Sequence, residues 1–257
     1  MKNGRIRQSV VPWCFKTMTV PQLAQHAARL GLKSVELCDP KFWPGLKELG
    51  LTCAIASSHG FSKGFAHLEE HEECLNTLHR RIEECAAAGV ERVITFSGFR
   101  RGLSDEEGIA NMVAGLKKIV RFAEEKRVTI CLEMLNSRVP IEMKGHPDYF
   151  CDSMERSIEV CRQIGSERMK ILFDLYHVQI MHGDVIARIR QHFPYIAHIH
   201  TAGVPGRGEI DETQELNYPI LMKTLLELGY TGFVGQEFIP TREPVPSLAQ
   251  GVQICDV

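Results

Sequence analysis

From one end to the other, the chain alternates short apolar runs of strand-forming residues with longer amphipathic stretches. The runs are Gln8–Trp13, Ser34–Leu37, Thr52–Ser57, Arg92–Phe96, Val128–Met134, Lys170–Asp174, Ile196–His200 and Phe233–Phe238. Between them, Val20–Leu30, Leu68–Ala88, Glu106–Glu125, Ser153–Ile164, Asp184–His192 and Leu216–Leu228 repeat apolar residues at helical spacing. The remaining intervals predict a brief helix over Trp43–Leu49 and a short piece near Pro246–Ile254. Five helical stretches stop in the same way, at Gly31, Gly50, Gly89, Gly165 and Gly229, where glycine takes the left-handed conformation that ends a helix before the next strand. Repeated strand–helix units of this kind build a parallel sheet covered by helices. With no Pro/Ser-rich linker or shift of composition to divide the chain, the pattern predicts an α/β fold, a single (β/α)8 TIM barrel over residues 1–257. An open doubly wound sheet is the structural alternative. It would carry a GxGxxG or GxxxxGK[ST] after the first run, and neither is there.

Composition narrows the function classes. Lys and Arg number 30 against 32 Asp and Glu, a formal net charge of −2 that provides no electrostatic footprint for nucleic acid. Nine scattered cysteines, odd in number and without a CxxC pair, read as reduced thiols in a cytoplasmic protein. Met1 to Arg7 is basic, but the following QSVVPWCF is short and interrupted by polar residues, so no signal peptide is expected. No apolar run approaches the roughly 18 residues of a membrane span.

In a barrel of this kind, chemistry gathers where the C-terminal ends of the strands meet. The fifth run ends at Glu133, the sixth at Asp174, the seventh contains His198 and His200, and the eighth carries Glu237. Three carboxylates and one histidine from four consecutive strands make a set of hard oxygen ligands plus one nitrogen. Such a set suits Mg²⁺ or Mn²⁺, and Zn²⁺ is compatible with it. Taken singly, each acid could equally cap the next helix or pair with a nearby base. Four together would repel, and a divalent cation offsets that charge.

The second half of the chain resembles the xylose-isomerase-like TIM-barrel superfamily, most closely its hydroxypyruvate isomerase branch, with ketose 3-epimerases as near relatives. The matching segments run in order: Glu133-Met-Leu-Asn136-Ser-Arg138, Asp174-Leu-Tyr-His177-Val-Gln179, His198-Ile-His200-Thr-Ala-Gly203-Val-Pro-Gly-Arg207, Glu215-Leu-Asn-Tyr218-Pro219 and Gly229 to Phe238. The first half matches in its strand–helix rhythm and in Trp13, Glu36 and His59. The resemblance implies that Glu133, Asp174, His200 and Glu237 ligate the metal and that Glu133 and Glu237 are also the acid/base pair. It further implies that His177 contacts substrate oxygens and that Arg207 binds the far side of the substrate. Proton removal next to a carbonyl gives a cis-enediolate, which needs a base on one side and a donor on the other. The cation would stabilise that charge as a Lewis acid.

Around this set, His59 is expected in the pocket, although a loop imidazole bonded to backbone is the plainer reading, and Trp13 either walls the pocket or plugs the barrel. Glu36 could hold His59 or a neighbouring arginine. Arg100 and Arg101 could grip an anionic group or simply be solvated. The stretch Asn136–Tyr149, with Arg138, Lys144 and His146, reads as a lid. His26, His71 and His79 are expected at the surface. The substrate is expected to be a small keto-sugar or keto-acid, with no nucleic-acid or membrane partner; homo-oligomerisation is left open. The rivals are a ketose 3-epimerase, a dehydratase with the same ligands, a non-catalytic sugar-binding barrel, and a three-zinc abasic-site endonuclease. That last needs histidines missing from the Thr95-Phe96-Ser97 strand end and an Asp-x-His pair absent after Arg207. The Arg207–Tyr218 loop differs in length from the form associated with small-acid isomerases, which leaves substrate identity open.

Overall fold

The computed structural model describes residues 2–257; Met1, the first residue of the basic start, lies outside the described residues. Among the described residues there are seven strands: β1 (Arg7–Val10), β2 (Ser34–Val35), β3 (Arg92–Thr95), β4 (Thr129–Glu133), β5 (Met169–Asp174), β6 (Ile196–Thr201) and β7 (Phe233–Gln236). They alternate with α1 (Val20–Leu30), α2 (Trp43–Glu48), α3 (His71–Ala88), α4 (Asp105–Lys126), α5 (Met154–Ile164), α6 (Leu175–Met181), α7 (Val185–His192), α8 (Tyr218–Glu227) and α9 (Pro244–Ile254). No helix among the described residues is long and apolar enough to cross a membrane.

The helix boundaries follow local chemistry. α1 begins with a reciprocal capping box between Thr19 and Gln22 and ends at Gly31 in the left-handed conformation. Ser104 caps α4 by accepting from the Glu107 amide, and Asp105, Glu106 and Glu107 place negative charge at the positive end of that helix. Ser153 caps α5, which stops at left-handed Gly165. α6 was not anticipated. It starts directly off β5, where the Asp174 side chain accepts from the Tyr176 amide and so turns the end of a strand into the cap of a helix.

The chain forms two compact units, interleaved in sequence. The first contains residues up to Ala54, Asp184–Phe193 and His198–Val257. Its strands are parallel in the order β2-β1-β7-β6, with Ser9 opposite both Ser34 and Gly235, and Gly235 opposite His200. The second contains Ile55–Gly183 and Pro194–Ala197, with parallel strands in the order β5-β4-β3. Every residue of β4 is buried, as expected of a parallel strand covered on both faces. All nine cysteines are buried and none is in a disulfide.

The third apolar run, Thr52–Ser57, does not form a continuous strand. Thr52 bridges Ser34 in the first unit and Ala56 bridges Val93 in the second. Between these bridges the Ala54 amide donates to the Ser34 hydroxyl at 2.8 Å, so a side chain takes the donor that a regular ladder would use. The first run is also shorter than expected, because Pro12 ends it and opens a 3-10 turn over Pro12–Cys14. His71 is buried rather than at the surface. Its Nε2 lies 2.9 Å from the Phe65 carbonyl, and Gly115 leaves space for its ring.

Two helical glycines separate intrinsic propensity from packing. A Cβ on Gly45 of α2 would meet nothing within 4 Å, whereas one on Gly108 of α4 would lie 2.2 Å from the Phe150 ring. Gly45→Ala is expected to stabilise the chain by up to about 1 kcal/mol. Gly108→Ala is expected to lose up to about 2 kcal/mol net, because overpacking of about 1–3 kcal/mol offsets or outweighs the same propensity gain of up to about 1 kcal/mol. Urea denaturation of the two variants measures both signs.

Candidate active site

In the first unit, one buried carboxylate organises the strand ends. Glu36, just past β2, accepts at Oε1 from both His198 and His200, whose Nε2 atoms lie 2.8 and 2.7 Å away. The two histidines are two residues apart on β6 and therefore share one face of the strand. All three side chains are fully buried. Burial alone would push the Glu36 carboxyl up, but the His198 charge and the hydrogen bonds from both imidazoles outweigh it and hold the group at about 2. Gly235 makes the approach feasible: a Cβ there would fall 2.5 Å from Glu36 Oε1 and 2.8 Å from His200 Cδ2. The expected partners of Glu36, His59 or an arginine, are thus replaced by His198 and His200.

His200 also reaches a second carboxylate. Its Nδ1 lies 3.0 Å from Glu237 Oε2, so the ring stands between two acceptors. If the imidazole is neutral, one of the two contacts sets a nitrogen lone pair against a carboxylate oxygen, whichever nitrogen holds the proton. A protonated ring or a cation beside Nδ1 removes that conflict. Glu237 Oε2 also accepts from Arg207 Nη2, and its Oε1 accepts from Trp13 Nε1 at 3.1 Å. Arg207, with a positive φ of 58°, is buried and lies over the Trp13 ring at 5.1 Å. Glu36, His198 and His200 have ligand atoms within 4.8 Å of one another. The donor set fits a divalent ion: a carboxylate orients the imidazole by one nitrogen, while the other nitrogen stands beside a further carboxylate.

In the second unit, Glu133 ends β4 and Asp174 ends β5, both buried. The two strands pair with Glu133 opposite Leu172. Asp174 Oδ1 is occupied by the Tyr176 amide, and its Oδ2 lies 3.5 Å from His177 Nε2. His177 Nδ1 accepts from the Asn136 backbone amide at 3.0 Å and lies 2.7 Å from the Asn136 side-chain nitrogen. A backbone N–H can only donate, so Nδ1 carries the lone pair and Nε2 carries the proton. His177 is thereby set as a donor on its Asp174 side.

The remaining predicted residues fall differently. His59 Nδ1 lies 3.0 Å from the Gly60 carbonyl and Nε2 3.0 Å from the Thr95 hydroxyl; burial pushes its pKa down, toward the neutral ring. Arg100 pairs with Asp105, and Arg101 with Glu70. The stretch Asn136–Tyr149 has no regular element but is tied down. Asn136 Nδ2 donates to the Lys144 carbonyl at 2.9 Å, the Tyr176 hydroxyl donates to the same oxygen at 2.8 Å, and the His146 amide donates to the Asn136 carbonyl at 2.7 Å. The loop after Arg207 is anchored by Glu209, which accepts from the Thr241 hydroxyl at 2.8 Å and the Ser247 hydroxyl at 2.9 Å. From the sequence, His198 is named without a role and Glu209 is not singled out. The i, i+2 histidines on one strand were the available signal for the former.

The chain belongs to the xylose isomerase-like TIM barrel family, whose model matches residues 24–255, and its fold is the α/β barrel of that family. It is 32% identical over 180 residues to the 2-oxo-tetronate isomerase of Cupriavidus necator, a match covering 69% of this chain and 66%, just under two thirds, of that protein. It is 29% identical over 237 residues to a Homo sapiens protein named "Putative hydroxypyruvate isomerase", covering 90% of this chain and 79% of that one. Among solved structures, an AP endonuclease of family 2 from Brucella melitensis superposes with a TM-score of 0.82 at 23% identity, over 95% of this chain and 98% of that one. A D-tagatose 3-epimerase-like protein superposes with a TM-score of 0.79 at 18% identity, over 98% of both chains. The structural likenesses establish the fold alone.

The Glu36 carboxyl sits below its ordinary value, so its charge contributes stability above about 4.5 that is lost as pH falls toward about 2. In chelator, Glu36→Gln is expected to unfold more easily than the parent by on the order of 3 kcal/mol near neutral pH. Denaturation curves across that window should show the gap narrowing with acidification. A gap that stays constant with pH would mean that the charge is not its source.

Proposed function

We propose that this chain catalyses a metal-dependent isomerisation of a small keto-acid or keto-sugar, hydroxypyruvate isomerase-like in type, through Glu-mediated proton transfer and a cis-enediolate. At the coarser level, the chain is an isomerase of its family. The names of its relatives, 2-oxo-tetronate isomerase and hydroxypyruvate isomerase, both describe small 2-oxo acids, which favours a keto-acid. The reading takes the 257 residues as one barrel domain and assigns no nucleic-acid or membrane partner.

One observation carries the metal: His200 is held by Glu36 with its other nitrogen 3.0 Å from Glu237, a contact that a cation reconciles. In this reading Glu133, Asp174, His200 and Glu237 are the ligands, and Mg²⁺ or Mn²⁺ suits three carboxylates and one imidazole, with Zn²⁺ also compatible. When bound, the ion would supply Lewis-acid stabilisation of negative charge on adjacent substrate oxygens.

The protein's own groups divide the remaining work. One of Glu133 and Glu237 takes the proton from the carbon next to the carbonyl. The C–H electron pair becomes the enediolate double bond as the carbonyl pair moves onto its oxygen. The other glutamate, in its protonated form, delivers a proton to the former carbonyl carbon while the hydroxyl proton passes to the former carbonyl oxygen. Proton exchange with solvent resets the two glutamates. Both carboxylates are buried, which keeps competing water away and favours proton transfer. His177, with its proton on Nε2, donates to a substrate oxygen. Arg207 neutralises a substrate carboxylate, with Trp13 forming the wall beneath it. His59 is assigned to the pocket edge.

The test is solvent deuterium incorporation into hydroxypyruvate, 2-oxo-tetronate and a panel of ketoses, with Mg²⁺ or Mn²⁺ added or chelated. Metal-dependent exchange is expected, falling at least about 100-fold in both Glu133→Gln and Glu237→Gln. The labelled carbon separates carbonyl migration from inversion at C3. Absence of exchange from every substrate in a protein that still binds metal would overturn the proposal.

A further inference from the structure

At the opposite ends of the second unit's strands lies a basic cavity that the proposed chemistry does not use. It has a volume of about 450 Å³ and is lined by the turns entering β3, β4 and β5. Its polar wall is formed by Glu91, Arg92, Lys126, Arg127, Thr129 and Arg168. Four cations therefore face one carboxylate. Glu91 is spent on Arg92, whose Nη1 it meets at 3.0 Å, while Arg92 Nε donates to the Ala197 carbonyl at 3.0 Å. Arg168 donates from Nη1 to the Thr129 hydroxyl at 3.2 Å, which holds its guanidinium against the cavity floor. Among the described residues, no carboxylate pairs with Lys126, Arg127 or Arg168. The nearby acids are engaged elsewhere, Glu124 with the Ser166 hydroxyl and Glu167 with Lys170.

The position of Arg127 adds a second, independent argument. α1, α3 and α5 end on left-handed glycines, Gly31, Gly89 and Gly165, but the same conformation at the end of α4 is taken by Arg127, with φ 56° and ψ 31°. A side chain in that region strains the backbone, which glycine avoids. Glycine would thus cap α4 better, so Arg127 is kept at a cost in backbone strain while its side chain lines the cavity.

We infer that this cavity binds a small phosphorylated metabolite, with Arg127, Arg168 and Lys126 gripping its phosphoryl oxygens. Two planar guanidinium forks suit the paired oxygens of a phosphoryl group, and the lysine adds a point charge. The cavity holds a compact ligand, and its place at the N-terminal ends of the strands makes the site separate from Glu133 and Asp174, which end β4 and β5 in the same unit.

Calorimetric titration of the intact chain with inorganic pyrophosphate, at ionic strength fixed with sodium chloride, tests this. Binding with Kd of about 1 mM or tighter is expected. The pair Arg127→Gly and Arg168→Ala should weaken it at least about tenfold. Arg127→Gly alone should weaken binding while leaving the melting temperature equal or higher, since it relieves the cap; this keeps loss of binding distinct from loss of fold. Titration of Mg²⁺-dependent deuterium exchange in the same variants should show that exchange retained. The inference is overturned if pyrophosphate produces no binding heat up to about 10 mM, or if the double variant binds it as tightly as the parent.

Discussion

The structure turns on a carboxylate that has no exposure to solvent. Removing an ionised Glu36 from water is costly, and the cost is met only because two imidazoles converge on a single oxygen. That convergence sets several other features. It requires histidines two apart on β6, it requires Gly235 on the neighbouring strand, and it fixes the ring of His200 so that its other nitrogen stands beside Glu237. Glu237 in turn collects Arg207 and Trp13. Breaking the chain of contacts at Glu36 would remove the acceptor shared by both imidazoles, so that residue positions the site without being one of the proposed acid/base groups.

The second unit solves a similar problem with hydrogen bonds in place of paired charges. Asn136 sends its backbone amide to His177, its side-chain nitrogen to the Lys144 carbonyl, and accepts from the Val139 amide with its side-chain oxygen. A polar stretch with no helix or strand is thereby made rigid enough to decide the tautomer of a buried histidine. Tyr149 closes the other end by donating from its hydroxyl to the Glu133 carbonyl while accepting from the Ser97 amide. A long loop of this composition looks mobile when judged by its lack of periodicity, but its donors and acceptors are largely consumed internally.

The chain also shows how residues of one type separate by environment. Arg207 is buried with one terminal nitrogen on Glu237, Arg100 and Arg101 serve structural ion pairs, and Arg127 and Arg168 face a cavity with no carboxylate of their own. Adjacent guanidinium groups at 100 and 101 drew notice as an anion grip, whereas the basic cavity is assembled from residues far apart in sequence. Charge density along the chain is a poor guide to charge density in space.

The alternation of apolar runs and amphipathic stretches is enough to establish the α/β class and six of the longer helices, because parallel strands must be apolar on both faces and each glycine stop is a local conformational demand. Glu133, Asp174, His200 and Glu237 stand out in the sequence as candidates because a polar group at or near the end of a buried strand interrupts an apolar run. The sequence could not show that the Ser34 hydroxyl would interrupt the third run, that Asp174 would start a helix at once, or that His71 would be interior. Nor could it pair Glu36 with His198 and His200. Those outcomes depend on which donor reaches each acceptor first, over separations that run from 2 residues for Asp174 and the Tyr176 amide to 162 for Glu36 and His198, and only the folded structure decides among the competing partners.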